Sequence, residues 1–154
     1  DYEPPYVLGA DRICNAVAAY MQHGACITVD FGTATSFGAV DAGGTFVGGA
    51  IAPGIKTATD ALVNQAAQLH NFEFKKPSSP LAKSTIEGIQ SGLVYGFTGL
   101  ADNIICRMKD VLGPATVVAT GGLSNVLINE STQINVIDRL LTLNGLRIIY
   151  ERNI

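Results

Sequence analysis

The sequence places an acidic residue at the end of a short apolar run and follows it with a glycine and hydroxyl side chains. The stretch covers residues 29–37 and includes Asp30, Gly32, Thr33 and Thr35. Glycine lets a backbone approach a ligand closely, and the N–H groups of such a turn can form a nest for an anion. Carboxylate oxygens suit a hard metal ion. The stretch therefore indicates a site for a phosphate and its cation, although an ordinary hairpin with a polar turn has the same pattern.

A second acidic residue lies upstream of this stretch. Asp11 follows Gly9 and Ala10 and is itself followed by Arg12. Apolar residues recur after Asp11 at helical spacing, so we expect it at or near the start of a helix. Two interpretations remain open: Asp11 either caps the helix by accepting from free backbone N–H groups, or serves as a catalytic carboxylate.

Composition limits the classes of function. With 154 residues, of which 47% are hydrophobic, the chain is long enough for one globular domain with a buried core. Only 15% of the residues are charged, and the formal net charge is −3. No basic stripe is available to release counterions from a phosphate backbone, which argues against nucleic-acid binding. No apolar run approaches the length of a membrane span, so we expect a soluble protein without a membrane contact.

The cysteines and histidines indicate neither a disulfide framework nor a zinc site. Cys14, Cys26 and Cys106 are an odd number and lack CxxC spacing. His23 and His70 are far apart and lack metal-ligand spacing. We therefore expect free thiols in a reducing compartment, which favours a cytoplasmic protein.

Hydrophobic periodicity predicts a chain that begins with a helix and a strand meander. The helix after Asp11 ends at Gly24, and strands are expected over residues 26–31, 36–40 and 45–51. The last two strands are joined by a strong hairpin signal. The elements expected after the meander are a helix from about Ile55 to Leu69, a helical region over 85–112 that is bent or broken near Gly96 or Gly99, a buried strand over 117–120, a short strand over 134–137 and a terminal helix over 138–152.

Small residues follow the strand expected over 117–120. Gly121 and Gly122 lie directly at its carboxyl end. Such a turn is a usual place for a nucleotide to lie in an α/β sheet, although two glycines can also simply close a turn.

Taken together, these motifs resemble those of the type III pantothenate kinases, a bacterial family in the superfamily of actin, Hsp70 and the acetate and sugar kinases. The match extends over nearly the whole chain. Its motifs are residues 9–12, 30–35, 53–55, Thr85, 90–92, 120–122 and 141–146.

The resemblance implies an α/β fold: one ribonuclease-H-like (actin-like ATPase) half, with a mixed sheet opened by a three-strand meander and flanked by helices. Residues 1–24 would form an inter-domain segment and a helix that carries the Gly-Ala-Asp-Arg motif. Residues 25–154 would form the C-terminal actin-like ATPase domain. The family's N-terminal half supplies a first phosphate-binding loop and a magnesium-linked carboxylate, and nothing in this sequence replaces it. We therefore expect the chain alone to lack kinase activity.

The resemblance also implies a reaction and its participants. The family transfers the γ-phosphoryl group of ATP to the primary hydroxyl of pantothenate, the first step of coenzyme A biosynthesis. It uses Mg²⁺ and a monovalent cation, K⁺ or NH₄⁺, and its members are homodimers. Two alternatives stay open: a non-catalytic regulatory or accessory factor of the same fold, and another actin-like small-molecule kinase.

Roles for individual residues follow from the same resemblance. Asp11 matches the family's catalytic base, and Asp30 matches the residue that binds the monovalent cation. The residues that match pantothenate contacts are Tyr2, Gly9, Ala10, Asp11, Arg12 and Thr85. The residues that match ATP contacts are Gly32 and Thr33 at the phosphates, with Gly121 and Gly122 near the adenosine.

Overall fold

A computed structural model describes residues 2–65, 73–122 and 124–154. The described residues form one five-stranded sheet with helices on both faces. The strands are β1 (Cys26–Phe31), β2 (Ala34–Val40), β3 (Phe46–Pro53), β4 (Thr116–Thr120) and β5 (Val136–Ile137). The helices are α1 (Ala10–His23), α2 (Ile55–Gln65), α3 (Thr85–Leu112), α4 (Ser124–Ile128) and α5 (Leu141–Glu151), preceded by a short 3₁₀ turn at Pro5–Val7.

The sheet is mixed, and its strand order is β3-β2-β1-β4-β5. The meander strands pair antiparallel, β1 with β2 and β2 with β3, whereas β1 pairs parallel with β4 and β4 with β5. This is the ribonuclease-H-like arrangement expected from the sequence, so the predicted fold class is confirmed. Because β1 is central and parallel to β4, both strands end at the same edge of the sheet.

Strand alternation divides the core into two layers. Ile27, Val29 and Phe31 belong to a buried cluster that includes Ile105 of α3 and Leu127 of α4. The cluster on the other face contains Cys26 of β1, residues of α1 and Leu141 of α5. Since successive side chains of a strand point to opposite faces, Asp30 lies on the face of Cys26, beneath α1 and α5.

The break expected in the long central helix is not present, because α3 runs without interruption from Thr85 to Leu112. Gly96 and Gly99 lie on its exposed side, and a Cβ at either position would meet nothing within 4 Å. The opposite side is buried by Leu93, Val94 and Ala101 among others. Tertiary packing of that side outweighs the low helix propensity of the two glycines.

Other boundaries differ by a few residues. β2 begins two residues earlier than predicted, and β3 extends to Pro53. α5 begins at Leu141 rather than at residue 138, because the Asp138 carboxylate accepts the backbone N–H of Leu140 at 2.8 Å, before the first turn. Among the leucine and isoleucine residues of α5 and the leucine just before it, Leu141 is fully buried. Three are more than half exposed: Leu140, Leu143 and Leu146.

The three cysteines are free, as the sequence predicts; Cys14 and Cys26 are buried and Cys106 is exposed. Burial raises the pKa of the Cys26 thiol to about 11. No helix within the described ranges is long and apolar enough to cross a membrane. The predicted end of the second helix at Leu69, and His70, lie outside the described residues.

A close contact between α1 and α5 generates a stability prediction. A Cβ added to Gly145 would collide with the backbone carbonyl of Cys14, so we expect Gly145→Ala to destabilise the chain by about 1–3 kcal/mol, the usual cost of overpacking. Urea denaturation measures this change. The matched control is Gly99→Ala on the open side of α3, which should stabilise by about 0.5–1 kcal/mol because alanine loses less backbone entropy. Equal behaviour of the two variants would contradict the contact.

Candidate functional site

Asp30 is half-buried near the carboxyl end of β1. Two further side chains, one from α1 and one from α5, form a chain of hydrogen bonds that ends at its carboxylate. Asn15 of α1, only 2% exposed, donates from Nδ2 to Asp30 Oδ2 at 3.3 Å. Thr142 of α5 donates from Oγ1 to Asn15 Oδ1 at 2.7 Å. The carboxylate is thus tied to both helices that cover this face of the sheet.

The surroundings of Asp30 disfavour its charged form. Burial raises the pKa of the Asp30 carboxyl above its ordinary value of 3.8, the Asn15 hydrogen bond lowers it, and the negative charge of Asp11 raises it further. The first cause is the largest. Two carboxylates that repel each other across one site are stabilised together by a cation between or beside them.

Asp11 lies in the first turn of α1 and is exposed. The N-cap residue is Gly9, and no side chain caps the helix, so the interpretation of Asp11 as the N-cap is wrong. A Cβ on Gly9 would lie 2.6 Å from Asp11 Oδ1, which means that the carboxylate folds back over the N-cap glycine. The positive end of the helix dipole favours a carboxylate at this position.

Arg12 is a buried cation without an anionic partner among the described residues. Its guanidinium lies 5.2 Å from the ring centroid of Tyr2 and 5.5 Å from that of Phe46, and Nη1 donates to the Tyr2 hydroxyl at 3.2 Å. Its Nε atom is buried and has no hydrogen-bond partner. A guanidinium held by two rings, with a donor left over, is suited to bind a carboxylate or phosphate.

The loop between β1 and β2 is supported by the start of α2. Gly32 donates its N–H to the carbonyl of Ala34 at 3.1 Å, and Thr57 donates its hydroxyl to the carbonyl of Thr33 at 2.9 Å. A Cβ on Gly54 would collide with that same Thr33 carbonyl. The exposed Thr33 therefore lies on a loop that the start of α2 holds in place.

These parts surround two grooves. The first groove, about 910 Å³, is lined by the start of α1, the β1–β2 loop and the start of α2; its polar lining residues include Asp11, Arg12, Asp30, Thr33, Ser36 and Thr57. The second groove, about 370 Å³, is lined by Asp30, Thr120, Gly121, Gly122, Arg139 and Thr142. Asp30 is shared, so the two grooves meet at its carboxylate.

Glycine is required where the second groove approaches Asp30. Gly121 has a φ of +94°, and a Cβ there would lie 2.6 Å from the Phe31 carbonyl oxygen and 2.8 Å from Asp30 Oδ1. The parallel register pairs Asp30 with Thr120, the residue before this glycine. Only glycine combines this backbone conformation with so close an approach.

The structure brings most of the predicted site residues together. Those that line the first groove are Gly9, Asp11, Arg12, Asp30, Gly32 and Thr33. Gly121 and Gly122 line the second groove, and Tyr2 joins the site through Arg12. Ala10 begins α1 without lining either groove.

Thr85 lies apart from the two grooves. It is exposed at the start of α3 and lines neither groove. The sequence suggests free N–H groups at this helix start, but the Ser84 hydroxyl accepts from the Glu87 N–H at 3.3 Å. The helix N-termini that line the first groove belong to α1 and α2.

Sequence reasoning missed Asn15 and Thr142. Asn15 lies four residues after Asp11, on the same side of α1, and a buried amide within an apolar stripe is the signal that could have identified it. Thr142 is 127 residues away from Asn15 in the chain, and no local pattern connects them.

The donor groups fit a cation that is shared with a ligand rather than caged by the protein. Within the described residues, no group of three or more His, Cys, Asp or Glu side chains could hold a metal ion. Mg²⁺ commonly binds through one or two carboxylates and completes its coordination with phosphate oxygens and water. Asp30, with Asp11 nearby, fits that kind of site.

Comparison with known proteins decides the family. The type III pantothenate kinase family model matches residues 1–107. A type III pantothenate kinase from Brevibacillus brevis is 51% identical over 154 residues, and one from Exiguobacterium sibiricum is 48% identical over 150 residues. The chain belongs to the type III pantothenate kinase family.

The matched relatives are longer than this member of the family. The alignments cover 99% and 97% of the chain but only 60% and 59% of the Brevibacillus and Exiguobacterium kinases. A solved structure from Campylobacter jejuni, described as belonging to the Baf family of transcriptional activators, aligns with a TM-score of 0.68 at 23% identity. It covers 97% of this chain and 67% of that one, and it supports the fold alone.

The raised pKa of Asp30 predicts a specific pH dependence of stability. A folded-state pKa above the unfolded value means that the native state binds more protons, so the free energy of unfolding falls as the pH rises above about 4. Asp30→Asn removes the titrating carboxyl and therefore the fall in the free energy of unfolding. The amide oxygen of the new side chain can still accept from Asn15. We expect the variant to be more stable than the unsubstituted chain at pH 7, with the difference vanishing below about pH 4.

Urea denaturation between about pH 3 and pH 8 tests this expectation across the titration range of a carboxyl. The matched control is Asp60→Asn, on the exposed side of α2, whose effect should not follow the same pH profile. A variant that is less stable than the unsubstituted chain at pH 7 would mean that the ionised carboxylate of Asp30 stabilises the fold, contrary to its burial.

Proposed function

We propose that this chain forms one side of the active site of an ATP-dependent kinase that phosphorylates pantothenate to 4′-phosphopantothenate, the first step of coenzyme A biosynthesis. The observation that carries the proposal is the position of Asp30, where a groove lined by Asp11 and Arg12 meets a groove lined by Gly121 and Gly122. A transfer between two substrates needs two adjoining sites that meet at the reacting group.

The first groove is the pantothenate site. Arg12 holds the substrate carboxylate, since Arg12 lines this groove and its guanidinium has no anionic partner among the described residues. Tyr2 fixes the guanidinium by accepting from Nη1. Gly9 and Ala10 shape the turn through which the substrate enters.

Asp11 accepts the proton of the pantothenate hydroxyl. Its carboxylate is exposed at the mouth of the first groove, close enough to Asp30 for their charges to interact. Phosphoryl transfer depends mainly on positioning and charge neutralisation, so one carboxylate within hydrogen-bond reach of the attacking hydroxyl suffices as the base.

The phosphates of ATP lie against the β1–β2 loop. The hydroxyl of Thr33, which lines the first groove, donates to a phosphate oxygen, Gly32 permits the close approach, and the start of α2 adds its positive dipole end. The adenosine occupies the second groove, beside Gly121 and Gly122. Asp30 binds the monovalent cation, K⁺ or NH₄⁺. When bound, that cation and Mg²⁺ neutralise charge on the phosphate oxygens.

The position of Thr85 is the reason why the proposal includes a homodimer. Thr85 lines neither groove, so within one copy it is not placed to contact the substrate. In a homodimer, a partner copy can present its own Thr85 to the pantothenate site. We also propose a cytoplasmic location, supported by the three free cysteines.

Asp11→Asn provides the test of the reaction. In the complete product of the gene, with ATP, Mg²⁺, K⁺ and pantothenate, we expect the substitution to lower kcat by about 10²–10⁴-fold, the usual contribution of a general base. The matched control, Asp110→Asn at the exposed end of α3, should leave turnover unchanged. Coupled detection of ADP measures the rate.

Two further outcomes of that assay separate the alternatives. The 154-residue chain alone should show no appreciable turnover, because the family's other phosphate-binding loop has no counterpart in it. If the complete product is inert with pantothenate but active with another small alcohol, the substrate assignment is wrong. If it is inert with all of them, the regulatory alternative replaces the kinase proposal.

Arg12→Lys tests the substrate orientation. Lysine keeps the charge but loses the planar bidentate geometry of arginine and the contacts of the guanidinium with the rings of Tyr2 and Phe46. A charge-assisted hydrogen bond contributes about 1.5–3 kcal/mol, so we expect the KM for pantothenate to rise about 10- to 150-fold while the KM for ATP stays unchanged. Arg107→Lys, on the surface of α3, is the matched control. A rise confined to the ATP KM would place Arg12 at the phosphates instead.

A further inference from the structure

We propose that Asn15 and Thr142 are positioning residues that select which oxygen of Asp30 faces the cation. The hydrogen bonds run from Thr142 to Asn15 and from Asn15 to Asp30, and we call these three residues the Asp30 relay. The inference rests on the proposed function only for the identity of what Asp30 binds.

Burial makes the relay directional. Asn15 is 2% exposed, and both polar atoms of its side chain are occupied within the relay. An ionised carboxylate can only accept, so the amide nitrogen of Asn15 must face Asp30 and the amide oxygen must face Thr142. The Thr142 hydroxyl must then donate. The opposite amide orientation would set its oxygen against the carboxylate, so the carboxylate fixes the orientation of the amide and the donation from Thr142 holds the amide in that position.

The relay leaves the two oxygens of Asp30 in different surroundings. Oδ2 accepts from Asn15 at 3.3 Å. Oδ1 lies between two glycines, since a Cβ on Gly121 would be 2.8 Å from it and a Cβ on Gly32 would be 3.4 Å from it. These glycines line the second and first grooves respectively. Oδ1 is therefore the oxygen that meets a cation and phosphates arriving where the grooves join.

The relay also connects the elements that carry the site. Asn15 is on α1, one turn after Asp11, Thr142 is in the first turn of α5, and Asp30 is the penultimate residue of β1. Thr142 itself lines the second groove. Loss of its hydroxyl frees the Asn15 amide to rotate and lets the carboxylate turn, which weakens cation binding without removing a ligand.

The test uses Thr142→Val, which keeps the shape of threonine and removes the donor, in the complete gene product. We expect the K⁺ concentration for half-maximal activation to rise about 2- to 10-fold, in line with the loss of one hydrogen bond. Thr142→Ser, which keeps the donor, should restore the original K⁺ dependence.

The matched control is Thr98→Val in α3. Thr98 is a buried threonine whose hydroxyl donates within its own helix to the Val94 carbonyl at 2.8 Å, outside the relay. Its K⁺ dependence should be unchanged. Asn15→Leu is a second relay variant; it removes both hydrogen bonds and should raise the half-maximal K⁺ concentration further than Thr142→Val does.

A readout independent of turnover is the shift of the melting temperature by KCl, compared with tetramethylammonium chloride at equal ionic strength. A cation that binds the native state stabilises it in proportion to its affinity, so the shift should be smaller in Thr142→Val than in the unsubstituted protein and in Thr142→Ser.

The outcomes separate the relay from the proposed function. If K⁺ activates and stabilises the protein and Thr142→Val changes neither effect, the relay is refuted and the kinase proposal stands. If the protein has no kinase activity but Thr142→Val still reduces the K⁺-induced shift, the relay stands and the kinase proposal fails. If K⁺ has no effect on the unsubstituted protein, the cation role of Asp30 and the relay are both refuted.

Discussion

A carboxylate at the end of the central strand has to be kept charged beneath two helices, and much of the site is arranged around that constraint. Alternation along β1 turns Asp30 toward α1 and α5. Burial and the charge of Asp11 both act against ionisation, and Asn15 supplies the compensating hydrogen bond. Gly121 leaves the other oxygen uncovered on the side of the second groove. An ionised carboxylate that is open to a ligand at this position therefore lowers the free energy of unfolding.

The packing of the two covering helices sets the geometry around that carboxylate. Gly145 lets α5 lie directly against the backbone of α1 at Cys14, next to Asn15. This close contact brings Thr142, three residues before the glycine, within hydrogen-bond reach of the Asn15 amide. A larger residue at position 145 would move α5 away and break the connection to Asp30. The contact that stabilises this face of the fold therefore also positions the site.

The parts of this arrangement that the sequence could predict are local. Alternating apolar residues and the Asp41–Gly44 turn predicted the meander, which the strand pairing confirms. The phosphate site predicted from the glycines beside Asp30 stays a prediction. The relay was not predicted because Thr142 and Asn15 are 127 residues apart in the chain. The expected break in α3 failed for a related reason, because helix propensity is local and the packing that overrides it is not. The N-cap interpretation of Asp11 failed because Gly9 already occupies that position.

The neighbouring charges of Asp11 and Arg12 show how the fold keeps reactive groups available. Residues one apart on a helix point about 100° away from each other, so an adjacent acid and base do not face each other. The guanidinium lies against the rings of Tyr2 and Phe46, and no ion pair joins it to Asp11 within the described residues. An ion pair would neutralise both groups and lower the basicity of the carboxylate. Because they are held apart, both groups remain available to a ligand, and one turn of helix places them at the first groove.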